Sequence, residues 1–257
     1  MERNRRSLAV AVLVSLLAST GCGSADDQPQ RMKIEVIGTR PHDPSAFTQG
    51  LDIDGNVLYE GTGKPGASNI RATDLTTGAE LARVDLPAPY FGEGVSPAAG
   101  TLWQITWKDG IAFARDPQTL AERSRVSYYG EGWGICTRAS RLVMSNGTDT
   151  LTFRDPVTFA PTGTVTLTGR RNAHLNELDC AADGSVYAND YPTDTILRID
   201  PETGRVLADI DARGLLAPTA RAYTDVLNGI AHIPGTDRFL LTGKYWPTMF
   251  EVRFVPA

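Results

Sequence analysis

Short runs in which apolar and polar residues alternate fill most of the chain after residue 31, and Gly, Asp and Pro separate them. Leu151-Thr-Phe-Arg154 and Ile196-Leu-Arg-Ile199 are examples, and alternation with a period of two is typical of β-strands with one buried face. Helical spacing is nearly absent. The exception is the segment from Asp211 to Asp225, where we expect a short helix. The pattern therefore predicts an all-β protein.

A repeated motif divides these strands into groups. A polar residue, usually a glycine, and then an apolar residue recur with spacings of 44, 38, 45 and 52 residues, beginning at Gln49, Glu93, Glu131, Asn176 and Asn228. Spacings of this size are typical of propeller blades. A second series of repeats lies between the copies of this motif: turn sequences of the form Asp-x-x-Thr begin at Asp74, Asp116, Asp155 and Asp200. We predict a five-bladed β-propeller in which each motif lies on the strand nearest the axis.

The two ends of the chain are expected to share the last blade. The final repeat ends in the alternating run Met249–Phe254 and lacks an Asp-Pro turn, so its outer strand must come from elsewhere. The alternating run Lys33–Ile37 is the expected donor. Pairing the two runs would close the ring without an open sheet edge. Residues 32 to 257 are therefore predicted to form a single propeller domain.

The first 21 residues have the pattern of a secretory signal. Three arginines precede an apolar run from Leu8 to Ala18, which is too short to span a bilayer. Residues 19 to 22 resemble a bacterial lipobox, in which Cys22 would carry a lipid; ordinary signal cleavage is the alternative. Residues 22 to 31 are expected to be a flexible tether. We predict an exported monomer, periplasmic or on the cell surface, that touches the membrane only through Cys22.

The net charge, the cysteines and the histidines limit the classes of binding partner, cross-link and metal site that the chain can have. The net charge is −5 at pH 7, which favours neither nucleic acid nor an anionic membrane surface. Cys136 and Cys180 follow the motif in consecutive repeats, which would place them on neighbouring inner strands, and both a disulfide and two buried thiols are compatible with that position. The histidines have no ligand spacing, so no zinc site is expected.

Eight motifs, in order, resemble the glutaminyl-peptide cyclotransferases of the plant and bacterial type. They are FTQGL (47–51), FGEGV (91–95), QITWKDG (104–110), YYGEGWG (128–134), LNELD (175–179), VYAND (186–190), DVLNGIA (225–231) and TGKYWP (242–247). The resemblance covers almost the whole mature chain. It implies a five-bladed propeller without catalytic zinc or another required cofactor, although a structural calcium in the axial channel is compatible with it. The implied reaction is an acyl transfer that converts the N-terminal glutamine of peptides or proteins to pyroglutamate and releases ammonia.

This reaction needs one carboxylate that moves a proton between two nitrogens, and groups that stabilise negative charge on the γ-oxygen. The resemblance gives the first role to Glu93, and Phe91 on the same strand face would raise the pKa of its carboxyl. Glu131 holds the equivalent repeat position, where a structural role is the stronger interpretation. The resemblance assigns stabilisation of the oxyanion to Asn176 and Lys244. A lysine at this position is informative because the chain has only four lysines beside 21 arginines.

The resemblance also indicates how the substrate is held. Gln49 would contact the substrate amine, with a hydrogen bond between blades as the alternative. Aromatic walls would exclude water, which would otherwise give glutamate, and core packing is their alternative role. These walls are Phe47, Phe91, Trp107 and Trp133. Tyr191 stands where the family commonly has tryptophan, which leaves that wall smaller and puts recognition of the substrate's second residue in question.

Two other functions remain open from the sequence. The oxygen-bearing side chains at the five motif positions could hold calcium, as in calcium-dependent lactonases on propellers, and a chelator would then abolish activity. An exported propeller that binds peptides without changing them is the second, because a fold alone does not determine function.

Overall fold

The alternating runs are strands. The structure is a computed structural model that describes residues 28 to 257, so the predicted signal, Cys22 and most of the tether lie outside the described residues. Within residues 28 to 257 the helix is α1 (Pro218–Arg221). The strands are β1 (Gln30–Pro41), β2 (Thr48–Asp54), β3 (Val57–Thr62), β4 (Asn69–Asp74), β5 (Glu80–Asp85), β6 (Gly92–Ala98), β7 (Thr101–Thr106), β8 (Ile111–Arg115), β9 (Glu122–Ser127), β10 (Ile135–Arg138), β11 (Arg141–Met144), β12 (Thr150–Arg154), β13 (Pro161–Thr166), β14 (Leu175–Cys180), β15 (Val186–Asp190), β16 (Thr195–Ile199), β17 (Val206–Asp211), β18 (Leu227–His232), β19 (Arg238–Gly243) and β20 (Thr248–Pro256).

The strands form antiparallel meanders. Three sheets have four strands each, in the orders β2-β3-β4-β5, β6-β7-β8-β9 and β10-β11-β12-β13. The fourth sheet has eight strands in the order β14-β15-β16-β17-β1-β20-β19-β18. The all-β prediction is confirmed, and α1 lies in the segment from Asp211 to Asp225 where the short helix was expected.

The predicted turns join the third and fourth strands of their sheets. Asp74 accepts hydrogen bonds at Oδ1 from the backbone N–H groups of Thr76 (3.0 Å) and Thr77 (2.7 Å). The same arrangement recurs at Asp116 and Asp155. The aspartate thus satisfies backbone donors that the turn leaves free, which explains why this residue type begins each turn.

The N-terminal strand pairs with the C-terminal strand, as predicted. β1 runs antiparallel to β20, from Met32 opposite Pro256 to Pro41 opposite Thr248. It begins at Gln30, so the last two residues of the predicted tether belong to the strand. Over Gln30 to Lys33 it also runs parallel to β17, which joins two groups of strands into the eight-stranded sheet.

The strands β2, β6 and β10, which begin the three four-stranded sheets, and the two end strands of the eight-stranded sheet, β14 and β18, contact one another in succession. We call these five strands the first strands. Glu177 on β14 is fully buried and accepts hydrogen bonds from the backbone N–H groups of Leu51 on β2 (3.0 Å) and Ile230 on β18 (2.9 Å). Asn228 Nδ2 donates to the Thr48 carbonyl at 3.0 Å. Two of these bonds cross between sheets and the third joins the two end strands of the eight-stranded sheet, so together they tie β2, β14 and β18 to one another.

A disulfide joins two of these first strands. Cys136 on β10 and Cys180 on β14 are bonded, with their Cα atoms 5.4 Å apart. The predicted placement on neighbouring inner strands is confirmed, and the choice that the sequence left open is settled in favour of a disulfide.

The predicted third copy of the motif was wrong by two residues. Trp133-Gly134-Ile135 holds the motif position, because Ile135 begins β10 and the backbone N–H of Gly94 donates to the Trp133 carbonyl at 3.0 Å. Glu131 lies before the strand. The sequence Glu-Gly-Trp-Gly-Ile contains two overlapping triplets, and a pattern that requires a polar first residue selects the earlier one.

Candidate active site

A cavity of about 190 Å³ opens at one end of the first strands. Its lining contains all nine residues that the sequence singled out, together with Lys64: Phe47, Gln49, Lys64, Phe91, Glu93, Trp107, Trp133, Asn176, Tyr191 and Lys244. Some of these residues stand at the start of a first strand, and the others follow the end of a second strand. Because neighbouring strands are antiparallel, both sets lie at the same edge of their sheets.

Irregular pairing places motif residues at this end of the first strands, and three of them, Gln49, Glu93 and Asn176, line the cavity. The register between first and second strands shifts at the same point in four groups: between Thr48 and Gly50, Gly92 and Val95, Leu175 and Leu178, and Leu227 and Ile230. Each shift contains the polar residue of one motif, namely Gln49, Glu93, Asn176 and Asn228. A bulge interrupts the ladder and redirects a side chain, and bulges are common beside active sites.

Glu93 has one satisfied and one free oxygen. Its Oε1 accepts a hydrogen bond from Gln49 Nε2 at 2.7 Å, while its Oε2 is buried and has no partner. Burial raises the pKa of Glu93 well above its usual range; the charge of Lys244 and the Gln49 bond oppose this shift, and Glu131 adds to it. The predicted rise in pKa is therefore found, and the free oxygen can exchange a proton with a bound molecule.

Lys244 stands in the loop after β19, and only 5% of its surface is exposed. Its ammonium lies 4.9 Å from the centre of the Phe47 ring and 5.3 Å from that of Tyr191. Burial lowers the pKa of Lys244, with Glu93 opposing the shift. This arrangement supplies a largely desolvated cation, whose interaction with an oxyanion is stronger than it would be in water.

Asn176 is almost fully buried, and its side-chain oxygen has no partner. Its backbone is fixed because the Ser145 hydroxyl donates to the Asn176 carbonyl at 2.5 Å. A buried carboxamide with a free hydrogen-bonding atom is costly unless a ligand supplies the partner. Glu93 and Asn176 thus both present a free oxygen to the cavity.

Aromatic rings form the walls. The ring centroids of Phe47 and Phe91 are 6.1 Å apart, and Trp107 lies 5.4 Å from Phe91. On the other side Trp133 meets Tyr191 edge to face at 5.6 Å. Glu131, although not a motif residue, holds two walls in place. Its Oε2 accepts hydrogen bonds from the indole N–H groups of Trp107 (2.8 Å) and Trp133 (2.9 Å).

Comparisons with known proteins agree with this geometry. Residues 7–254 match the family model described as glutamine cyclotransferase. The chain is 38% identical over 244 residues to a glutaminyl-peptide cyclotransferase of Arabidopsis thaliana, covering 91% of this chain and 76% of that protein. The crystal structure of Myxococcus xanthus glutaminyl cyclase matches with a TM-score of 0.79 and 35% identity, over 90% of this chain and 100% of that one. The chain belongs to the glutamine cyclotransferase family.

In this member of the family, two glycines and a lysine also belong to the site, although no motif in the sequence indicated them. A Cβ on Gly63 would collide with the Phe91 ring, and one on Gly147 would lie 2.5 Å from Trp133 Cζ2. Each glycine therefore lets a wall ring lie against the backbone. Lys64 sits beside Gly63. The scarcity of lysine, which drew attention to Lys244, was a signal for Lys64 as well.

The other end of the first strands carries a second cavity, of about 410 Å³. Its lining includes Asp52 and Asp179, and burial raises the pKa of both carboxyls. Among residues 28 to 257, no group of three or more His, Cys, Asp and Glu side chains could hold a metal ion. His42 contacts Glu60 (3.0 Å) and the Trp246 carbonyl (2.6 Å). A structural calcium in the axial channel stays a prediction.

Proposed function

We propose that this protein is a glutaminyl-peptide cyclotransferase that converts the N-terminal glutamine of peptides or proteins to pyroglutamate and ammonia. The observation that carries the proposal is the free Oε2 of Glu93, a buried carboxyl oxygen facing a small cavity that also holds Lys244 and Asn176. The family membership and the curated relative support the same reaction.

Glu93 moves the proton. The neutral α-amine attacks the γ-carboxamide carbon, the new C–N bond forms, and Glu93 Oε2 takes a proton from the attacking nitrogen. The proton then passes to the carboxamide nitrogen, which leaves as ammonia when its bond to carbon breaks, and Glu93 is a carboxylate again. One group serves both transfers because the two nitrogens are bound to the same carbon in the intermediate. The raised pKa brings the carboxyl closer to the range in which both transfers are efficient.

Lys244 and Asn176 act on the carboxamide group. Its oxygen gains negative charge when the amine attacks, and the buried ammonium of Lys244 stabilises that charge. Asn176 can donate from its amide nitrogen to the same oxygen, while its free side-chain oxygen accepts an N–H of the carboxamide. Gln49, which bonds Glu93, keeps the carboxyl oriented, so its role beside the substrate amine is indirect.

The aromatic walls orient the glutamine and exclude water. Both reacting groups belong to one residue, so the enzyme need only hold the rotamer in which they approach each other. Phe47, Phe91, Trp107, Trp133 and Tyr191 line the cavity that imposes this rotamer. Because side chains supply the proton transfer and the charge stabilisation, we propose that the reaction needs no zinc.

The chain is also proposed to be a five-bladed propeller. Dividing the eight-stranded sheet between β17 and β1 leaves the groups β14 to β17 and β18-β19-β20-β1, beside the three four-stranded sheets. Hydrogen bonds between first strands of different groups support a ring of five such units.

We propose that the protein is exported, lipid-anchored through Cys22 and monomeric. The secretory pattern of residues 1 to 21 supports export, and so does the disulfide, since disulfides persist mainly in oxidising compartments. Among the described residues, no helix is long and apolar enough to cross a bilayer.

The proposal is tested by incubating the purified protein with a short peptide that begins with glutamine and following its mass. We expect loss of one ammonia, and the same loss in the presence of a chelator. An N-acetylated peptide of the same sequence should stay unchanged, because its amine cannot attack. Conversion of both peptides to the glutamate form would indicate a hydrolase. Binding without any change in mass would indicate a peptide-binding protein, and activity lost to the chelator would favour a calcium-dependent enzyme.

A further inference from the structure

The lysines of this chain are concentrated at the cavity. The chain has four lysines and 21 arginines and carries a net charge of −5. Lys64 and Lys244 line the cavity, and Lys108 lies over the Trp107 ring at 4.0 Å. The remaining lysine, Lys33, is exposed on β1. Three of the four lysines of an acidic protein thus lie at or beside the opening of this cavity, which we call the mouth.

Two of the three cations have carboxylate partners. Lys244 interacts with Glu93 inside the cavity, and Lys108 lies 3.7 Å from a carboxyl oxygen of Glu131. Lys64 forms no ion pair with any residue between 28 and 257; its ammonium instead rests over the Phe47 ring, 3.8 Å from the centroid. Two further carboxylates interact with other groups. Asp109 accepts a hydrogen bond from the backbone N–H of Phe91, and burial lowers the pKa of Lys244, a shift that the charge of Asp225 opposes. Lys64 is therefore the cation at this mouth with no anion beside it.

The backbone directs Lys64 across the mouth. The residue lies in the loop between β3 and β4 with φ of 93°, a conformation that residues other than glycine rarely adopt. Its carbonyl accepts hydrogen bonds from Ala67 N (3.0 Å) and the Ser68 hydroxyl (2.8 Å), which hold the loop in this shape. Strained residues that the surrounding structure holds in place cluster at binding sites.

A peptide substrate must pass this lysine. The cavity of about 190 Å³ takes little more than one side chain, so the residues after the glutamine leave through the mouth. Lys64 and Tyr191 are the exposed members of the lining, and the chain leaves past them. We propose that Lys64 is a specificity residue that favours peptides with an acidic side chain at the position directly after the N-terminal glutamine. This inference rests on the proposed cyclotransferase function.

The test is a competition between two peptides that differ in one residue, Gln-Glu-Ala-Ala-Ala-amide and Gln-Gln-Ala-Ala-Ala-amide. The loss of ammonia from each peptide is measured in the same reaction. We expect the acidic peptide to have a kcat/KM about 2- to 5-fold higher, the range of a solvent-exposed ion pair. The preference should shrink at high salt. Lys64→Gln should bring the ratio close to one, Lys64→Arg should keep it, and Lys64→Glu should reverse it. A peptide with its glutamate at the fifth position should behave as the neutral one does.

Lys33→Glu is the matched control for charge reversal, and it should leave the wild-type ratio unchanged. Lys108→Gln should also keep a preference for the acidic peptide. Two results would overturn the inference while both peptides still lose ammonia. One is a wild-type kcat/KM ratio of one between the acidic and the neutral peptide; the other is a ratio that changes when Lys108 is replaced but not when Lys64 is replaced. If neither peptide loses ammonia, the cyclotransferase function itself fails, and the inference fails with it.

Discussion

At the scale of single residues, the two oxygens of Glu93 have different surroundings. Gln49 donates a hydrogen bond to Oε1, whereas Oε2 is buried and has no hydrogen-bond partner. Glu131 has the opposite character: it is partly exposed, and its carboxylate accepts two indole N–H bonds. In the proposed reaction, the same residue type thus serves proton transfer in one place and positioning of the walls in the other.

The first prediction compares these two carboxylates. Glu93→Gln keeps the shape of the side chain but cannot carry the proton, so kcat should fall by at least ~10² while peptide binding changes little. Glu131→Gln still offers an oxygen to both indoles and should keep most of the activity. Steady-state kinetics on one glutamine-led peptide decides between them. If Glu131→Gln loses activity and Glu93→Gln keeps it, the catalytic carboxylate has been assigned to the wrong residue.

The second prediction follows from the raised pKa of Glu93. In the unfolded chain the carboxyl loses its proton near pH 4.3, and in the folded protein only at higher pH, so stability falls as pH rises through that window. Glu93→Gln removes this cost. The variant should therefore be more stable than the wild type at pH 8 and about equal to it at pH 4, as measured by thermal unfolding. A gain of the same size at both pH values would show that ionisation of Glu93 is not its cause.

At the scale of strands and loops, the sequence predicted more of the elements than of their register. The period of the motif located four of the five first strands, because the polar residue falls in a bulge that each of those strands contains. In the third group Trp133 replaces the polar residue, and only the pairing of β10 identifies the correct triplet. Gly63 and Gly147 escaped notice because glycine is common in every turn, and only the nearby rings show why these two are needed.

The third prediction concerns the disulfide between β10 and β14. β10 has only four residues, so its own ladder offers few hydrogen bonds, and the covalent link compensates. For a sequence separation of 44 between the cysteines, the loop-closure model assigns the bond about 4 kcal/mol of unfolding free energy. Replacing both cysteines by serine should lower the stability in denaturant by up to that amount. A reducing agent should lower wild-type stability by a similar amount and leave the variant unchanged; an equal effect on both proteins would contradict the prediction.

At the scale of the whole molecule, pairing between the N-terminal strand β1 and the C-terminal strand β20 holds the fold together. β1 and β20 are far apart in sequence, yet they pair along nearly their full lengths, and the backbone N–H of Ala257 donates to the Arg31 carbonyl at 3.1 Å. No turn connects the two strands, so their side chains and hydrogen bonds alone maintain the pairing. This long-range pairing was predictable from the sequence, because the final repeat lacked an outer strand and the N-terminal run had no partner.

The last prediction tests whether this pairing maintains the whole domain. A protein that begins at Thr39 loses the residues of β1 that face Val252 to Pro256, and it should unfold at a markedly lower temperature than one that begins at Gln30. The expected cost is several kcal/mol, from backbone hydrogen bonds at about 1 kcal/mol each and from apolar area at about 25 cal/mol per Å².

Point substitutions in β1 separate the effect of side-chain packing from the effect of removing the strand. Ile34 packs against the core beside Phe254, whereas 42% of Ile37 is exposed. Ile34→Ala should therefore cost about 1 to 2 kcal/mol, less than a fully buried isoleucine would, and Ile37→Ala should cost less than about 0.5 kcal/mol. Equal melting temperatures for the proteins that begin at Gln30 and at Thr39 would show that the fold is stable without its N-terminal strand.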